Sequence, residues 1–393
     1  MCLHRGGIRR EAMLALVALW SVPGVASALS IDMSPRRPVL LADGTRFVAQ
    51  DGWNSLALYR AADAAVIYQF PAPGWVNRVA VSADERWLLI ACSDASLAVW
   101  DLGTGNRVWE QSRRQTGLEY VYDASFAHDG ESCVVCGRGD QQAVVLKTAT
   151  GERLGIVRFP PMQTSIMSAA LAPNGRSGVL IELGQRVYTF DLSVTTPQDT
   201  GLTGGWPVRY SADGRYVAFR SNNSGTAERL SVVRVGNEWA KKDFGQFTYI
   251  GHIRPARDGT FLVTAQIGGR YDETAVNIGV QVWPEVGRVQ ELWKLKPDHG
   301  VNDRTDYLSG AMVGVSTDWR LVTKVVALRS GRTEREIDNS ENMAAPDSRG
   351  MTLGSCGAAV LVAVAGGWLI WRRRSRSIGS VLTPRPGGEG GSR

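Results

Sequence analysis

Histidine and cysteine are scarce. The 393 residues hold four histidines and five cysteines, and neither type is clustered. His128, His252 and His299 fall far apart, with no HxxxH pair to seat zinc. There is no GxSxG elbow, no Walker A loop and no GxGxxG in a strand-to-helix context. These absences leave no candidate catalytic residue, no metal-ligand set and no cofactor site. The richest polar stretch runs over residues 296–306, where Asp298, His299, Asn302, Asp303 and Asp306 make a candidate binding loop. Its spacing is not that of an EF-hand, and its plain reading is a solvated connection between structural units.

Two cysteines sit in apolar end segments, Cys2 and Cys356. Cys92, Cys133 and Cys136 remain in the central part. The run Cys133-Val-Val-Cys136 has redox-motif spacing. On a strand, however, positions three apart face opposite sides at about 10 Å, which is too far for a disulfide. Both are read as small apolar strand residues, with a bridge from Cys92 to a neighbouring unit as the alternative.

Charge of one sign is also missing where it would matter. The formal net charge is +6, which hints at nucleic acid. Yet residues 29–371 hold 35 basic and 36 acidic residues, a net of −1; the basic excess lies in the two ends. The central part therefore has no basic footprint for nucleic acid.

Those ends read as targeting segments. Arg5, Arg9 and Arg10 precede an apolar run from Ala12 to Trp20, then Pro23-Gly24 and the small-x-small Ala26-Ser27-Ala28. This is the pattern of a secretory signal over 1–28, with the mature chain beginning at Leu29. Residues 351–371 form an uncharged run of 21, followed at once by Arg372, Arg373, Arg374 and Arg376. At about 1.5 Å per residue such a helix spans one bilayer core, and the arginines hold its C-terminal end in the cytoplasm. The expected order is signal 1–28, main domain 29–340, linker 341–350, transmembrane helix 351–371 and basic cytoplasmic tail 372–393. The main domain then stands outside the membrane, periplasmic or at the cell surface.

Within the main domain one signal recurs. An apolar stretch ends in a polar turn and a second apolar stretch follows. The turns begin at Leu41 (LADGTR), Ser82 (SADERW), Ala127 (AHDGES), Ala172 (APNGRS), Ser211 (SADGRY), Ala256 (ARDGTF) and Ser316 (STDWRL). Asp-Gly and Asn-Gly suit tight hairpins because both tolerate positive φ. The intervals of 41, 45, 45, 39, 45 and 60 residues, with four strands per interval, are those of propeller blades.

The second unit, Asn77 to Trp109, reads NRVAVSADERWLLIACSDASLAVWDLGTGNRVW. It resembles a WD40 repeat. Asp94 stands at that family's structural Asp, and Trp100-Asp101 is its defining dipeptide. Other units keep the turn and lose the dipeptide. Asp101 to Gly105 with Trp109 also fits, once, the tryptophan pattern of quinoproteins. The resemblance implies an all-β, WD40-like β-propeller of about seven blades. Its last unit shows three strands, so Leu29–Met33 is expected to supply the fourth and close the ring. Trp87, Trp100, Trp109, Trp283 and Trp293 are expected in the core, and Trp53, Trp75 and Trp206 around one face.

The function expected is a membrane-anchored extracytoplasmic platform that binds a protein or small ligand, with no catalysis. The rival expectations are a propeller enzyme of lactonase or quinoprotein type using the central channel, and a surface protein whose tail is a cleaved sorting signal.

Overall fold

A computed structural model describes residues 38–338 apart from 42–43, 140–141, 159–164, 184, 195, 222–226, 237–238, 257, 269–275, 296–303, 307–312, 318–321 and 328–332. The expected signal, linker, transmembrane helix and tail lie outside the described residues. Among the described residues no helix is long and apolar enough to cross a membrane.

The chain is an all-β propeller. Its strands form four-stranded antiparallel sheets, each built from consecutive strands, so every sheet is a meander. Six blades, numbered 1 to 6, span residues 39–71, 76–111, 118–158, 166–203, 205–247 and 249–295. They pack around five shared apolar layers, with a further core cluster inside blade 1.

Against the expected seven, the packing is described for these six. A further four-stranded sheet over 304–338 is described in its strand pairing alone. Its strands are Arg304–Asp306, Val313–Thr317, Val322–Ala327 and Thr333–Asp338. The fourth strand therefore comes from Arg304–Asp306, inside the segment read as a loop, and the sheet is four-stranded without Leu29–Met33. Those five residues lie outside the described residues. The phase of the last sheet also differs. In the six blades the recurring turn joins the first strand to the second, whereas the turn at Ser316 joins the second to the third. The longer final interval of 60 residues accommodates the extra short strand. The first strand of blade 1, Val39–Leu40, lies against Val313–Thr317, so the first and last sheets are neighbours.

The recurring turn has one geometry throughout the six blades. The amide of its fourth residue bonds back to the carbonyl of its first: Gly44 to Leu41, Glu85 to Ser82, Gly130 to Ala127, Gly175 to Ala172, Gly214 to Ser211 and Gly259 to Ala256, at 2.9–3.1 Å. All six fourth residues have φ between 61° and 80°, a region where glycine is free of Cβ strain. Glu85 alone lacks that freedom.

Strand periodicity then builds the core. In blade 2, Leu88, Ile90 and Cys92 face blade 1 with Trp100 and Ala98. Leu89 and Ala91, between them, face blade 3 with Val99 and Leu97. Each blade is apolar on both faces because each is sandwiched, which explains near-continuous apolar runs such as Trp87–Cys92. Cys133 lies in the layer toward blade 2 and Cys136 in the layer toward blade 4. Both are free, as is Cys92.

Candidate functional site at the channel mouth

The first strand of each blade lines the channel, and in five of them the register slips at the same height. In blade 2 the pairing skips Asn77; in blade 3, Tyr122; in blade 4, Met167; in blade 5, Trp206 and Pro207; in blade 6, Gly251. Counted back from the recurring turn, each slip includes the fifth residue before it. A bulge adds a residue to one strand and re-aims its side chain. Five bulges therefore lie at one level, at one mouth of the channel, and shift the side chains that follow them. Gly137 is part of the cause in blade 3. A Cβ there would fall 1.7 Å from the carbonyl oxygen of Tyr120, so glycine lets the first strand buckle against the second.

Polar side chains from this level cross between blades. Arg78 of blade 2 donates from Nε to the carbonyl of Tyr122 in blade 3 at 2.6 Å, and from Nη1 to its own neighbour Asn77 at 2.9 Å. Asn77 is fully buried and donates to the Val121 carbonyl. The Tyr120 hydroxyl lies 3.4 Å from Asn77 Oδ1. The Arg78 guanidinium stacks over the Trp206 ring of blade 5 at 5.4 Å, and the rings of Tyr120 and Tyr122 are 5.2 Å apart.

Beneath them lies a buried ion pair. Asp123 of blade 3 accepts from both ends of the Arg209 fork in blade 5, at 3.0 and 3.3 Å. It also accepts the Ser168 hydroxyl of blade 4. Ser168 Oγ in turn accepts the Val208 amide at 3.0 Å. The Asp123 side chain is 3% exposed and that of Arg209 22%. One carboxylate thus ties three successive blades together. Arg254 of blade 6 makes a comparable reach, donating to the Leu40 carbonyl of blade 1 at 2.8 Å. The Tyr122 phenol is pushed up chiefly by burial, with Arg138 pulling it the other way.

The rim beside the mouth is aromatic. Trp53, in the turn between the second and third strands of blade 1, lies 5.8 Å from Trp75 in the connection to blade 2. The Val76 amide bonds the Trp53 carbonyl, and the Ser93 amide bonds the Trp75 carbonyl, both at 2.9 Å. Trp75 is 41% exposed on this anchored backbone. Trp87 and Trp100 are buried as expected.

The residues singled out from the sequence do not form one site. Asp94 lies on the mouth face, where its Oδ1 accepts the Ser96 amide at 3.0 Å and hydroxyl at 2.6 Å. Trp100 is buried between blades 1 and 2, its ring edge-on to Phe70 at 5.6 Å. Asp101 is at the far end of the same strand, where its carboxylate accepts the Gly103 and Thr104 amides at 2.9 Å. In the candidate binding loop, Asp298, His299, Asn302 and Asp303 lie outside the described residues. Asp306 ends the strand Arg304–Asp306, opposite Val315. Among the described residues no group of three or more His, Cys, Asp or Glu side chains could hold a metal.

No family model and no curated protein matches the sequence. Among solved structures the chain is similar to the β-propeller domain of Cps50 (Swd1) from Myceliophteria thermophila. The TM-score is 0.55 and the identity 12%, over 74% of this chain and 94% of that one. It is also similar to dihydro-heme d1 dehydrogenase NirN in complex with DHE, at TM-score 0.49 and 12% identity, over 75% of this chain and 63% of that one. The first likeness agrees with the repeat in blade 2: the fold is a WD40-like β-propeller.

Proposed function

We propose that this chain is a non-catalytic binding platform, an exported propeller anchored by its C-terminal apolar run, whose mouth face takes a protein or small-ligand partner. The observation that carries the reading is the pairing of Trp53 and Trp75 on that face. The exposed Trp75 and the half-buried Trp53 are held by backbone hydrogen bonds from Ser93 and Val76, on the same face as the mouth that carries Arg78, Tyr120, Tyr122 and Trp206. Rigid, partly exposed Trp and Tyr beside Arg make effective anchors, because little side-chain freedom is lost on binding.

The interior of the channel supports binding over chemistry. Asp123, buried beneath the mouth, is occupied by Arg209 and Ser168 and works as a strut between blades. Partners other than nucleic acid are favoured by the near-neutral charge of residues 29–371. The placement outside the membrane rests on the signal-like and membrane-like end segments.

Chemical cross-linking in cells, followed by capture of the tagged full-length chain, tests the reading. The wild-type chain should yield discrete adducts that W53A/W75A loses while melting at the same temperature. Adducts that survive the double substitution unchanged would remove the rim from the account.

A further inference from the structure

We propose that the channel mouth is a carboxylate-binding site in which Arg78 supplies the paired charge, Tyr122 a second hydrogen bond and Trp206 a flat floor. This rests on the reading of the mouth as the binding face. The charge balance motivates it. Among the described residues Arg78, Arg138 and Arg209 bring positive charge to this end of the channel, and Asp123 is already engaged by Arg209 on both of its oxygens. Arg138 is paired in register with Tyr120 at the end of the second strand of blade 3, and it is exposed.

Arg78 is half-buried, and among the described residues no carboxylate pairs with it. Its Nε and Nη1 are used on carbonyls, which leaves Nη2 without a hydrogen bond among the described residues. The Tyr122 hydroxyl is likewise without one among the described residues. A half-buried guanidinium that meets only carbonyls and an aromatic face lacks the anion that best satisfies it. Arg78 Nη2 and the Tyr122 hydroxyl are donors on adjacent blades at this level, and a planar carboxylate has two oxygens to accept from them. A phosphate would bring a further oxygen that these two donors do not answer. The Trp206 face beneath Arg78, at 5.4 Å, holds the guanidinium plane in place for a partner approaching along the channel.

The carboxylate could be an acidic side chain of a protein or a free organic acid, and calorimetry on the full-length chain separates these. The probes are a blocked hexaglutamate peptide, glutarate and inorganic phosphate at low salt. Binding of the peptide or of glutarate is expected, weakening as salt rises. Arg78→Gln should lower the affinity at least tenfold, Arg78→Lys should recover part of it, and Tyr122→Phe should lower it a few-fold. Arg234→Gln, at the opposite end of blade 5, should leave it unchanged. Peptide well ahead of glutarate assigns the site to an acidic protein segment; equal affinities assign it to a free acid. Phosphate binding more tightly than either, or affinity that ignores Arg78→Gln in a chain melting normally, would overturn the proposal. If no probe binds while cross-links through Trp53 and Trp75 persist, the carboxylate assignment fails and the platform stands. If those cross-links are absent too, the platform reading fails with it.

Discussion

Removing the Asp123 carboxylate should loosen the propeller at its inner wall, and the size of the effect follows from who is left behind. Asp123→Ala strands the Arg209 guanidinium and the Ser168 hydroxyl, which both donate to it. Breaking a fully buried ion pair from one side costs about 3–5 kcal/mol, because an uncompensated charge remains. Arg209 keeps some contact with water at 22% exposure, so the expected loss is smaller, about 2–4 kcal/mol. Against a stability of roughly 5–15 kcal/mol that is a large fraction. Arg209→Met alone leaves a buried carboxylate with the Ser168 hydroxyl and, at 3.0 Å, the Ala124 amide as donors, and should cost a similar amount. The double variant should cost less than the sum, because neither charge then lacks its partner. Urea unfolding of the full-length chain and the three variants measures this, with the midpoint moving and the slope held constant. Losses that add without coupling, or an Asp123→Ala chain that unfolds with the parent, would mean that the carboxylate does not tie blades 3, 4 and 5 together.

Three further outcomes follow from the same packing. Leu89→Asp places a carboxylate in the fully buried layer between blades 2 and 3; it should abolish folding, seen as loss of the cooperative melt, since burying an unpaired charge costs several kcal/mol. Val81 is only partly buried, so Val81→Asp should be milder. Glu85→Gly should raise stability by about 0.5–1 kcal/mol, because Glu85 holds the positive φ of 61° that glycine holds in the other five turns; a chain melting at a lower temperature would refute the strain argument. Burial lifts Cys92 from 9.0 to about 11 and Cys133 from 9.0 to about 12. The unfolded chain therefore loses these protons first as pH rises, so this stabilisation is whole below pH 9.0 and is lost as pH climbs through 11 to 12. Urea curves at several pH values should show a shallower alkaline decline in Cys133→Ala than in the parent.

Much of the propeller was legible because its turns are governed locally. An Asp-Gly or Asn-Gly placed between apolar stretches sets the strand boundary through a single residue of positive φ, and that requirement is visible in the sequence wherever it recurs. Sandwiching between blades is visible too, as runs such as Trp87–Cys92 that are apolar on both faces. The last sheet was harder. Arg304–Asp306 is three residues long and polar, so nothing in its pattern separates it from the loop around it; only pairing with Val313–Thr317 makes it a strand. The mouth was harder still. Asp123 and Arg209 are 86 residues apart and meet only because the propeller curls blade 5 toward blade 3. A signal did exist. Aligned on the recurring turn, Arg78, Asp123 and Ser168 each fall four residues before it, and a charged or polar residue repeated there in otherwise apolar inner strands marks the channel level. Asp94, Trp100 and Asp101, by contrast, stand out by family resemblance, and they serve turn geometry and the core.

The central claim is that partners meet this propeller at the bulged mouth and not at the opposite face. A photo-crosslinking residue placed singly at Trp75 and Arg138, and for comparison at Asp84 and Asp129 in the recurring turns at the far ends of the inner strands, tests it in cells expressing the full-length chain. Adducts of discrete mass should form at Trp75 and Arg138 and be absent at Asp84 and Asp129. Adducts confined to Asp84 and Asp129, or equal at all four positions, would contradict the account.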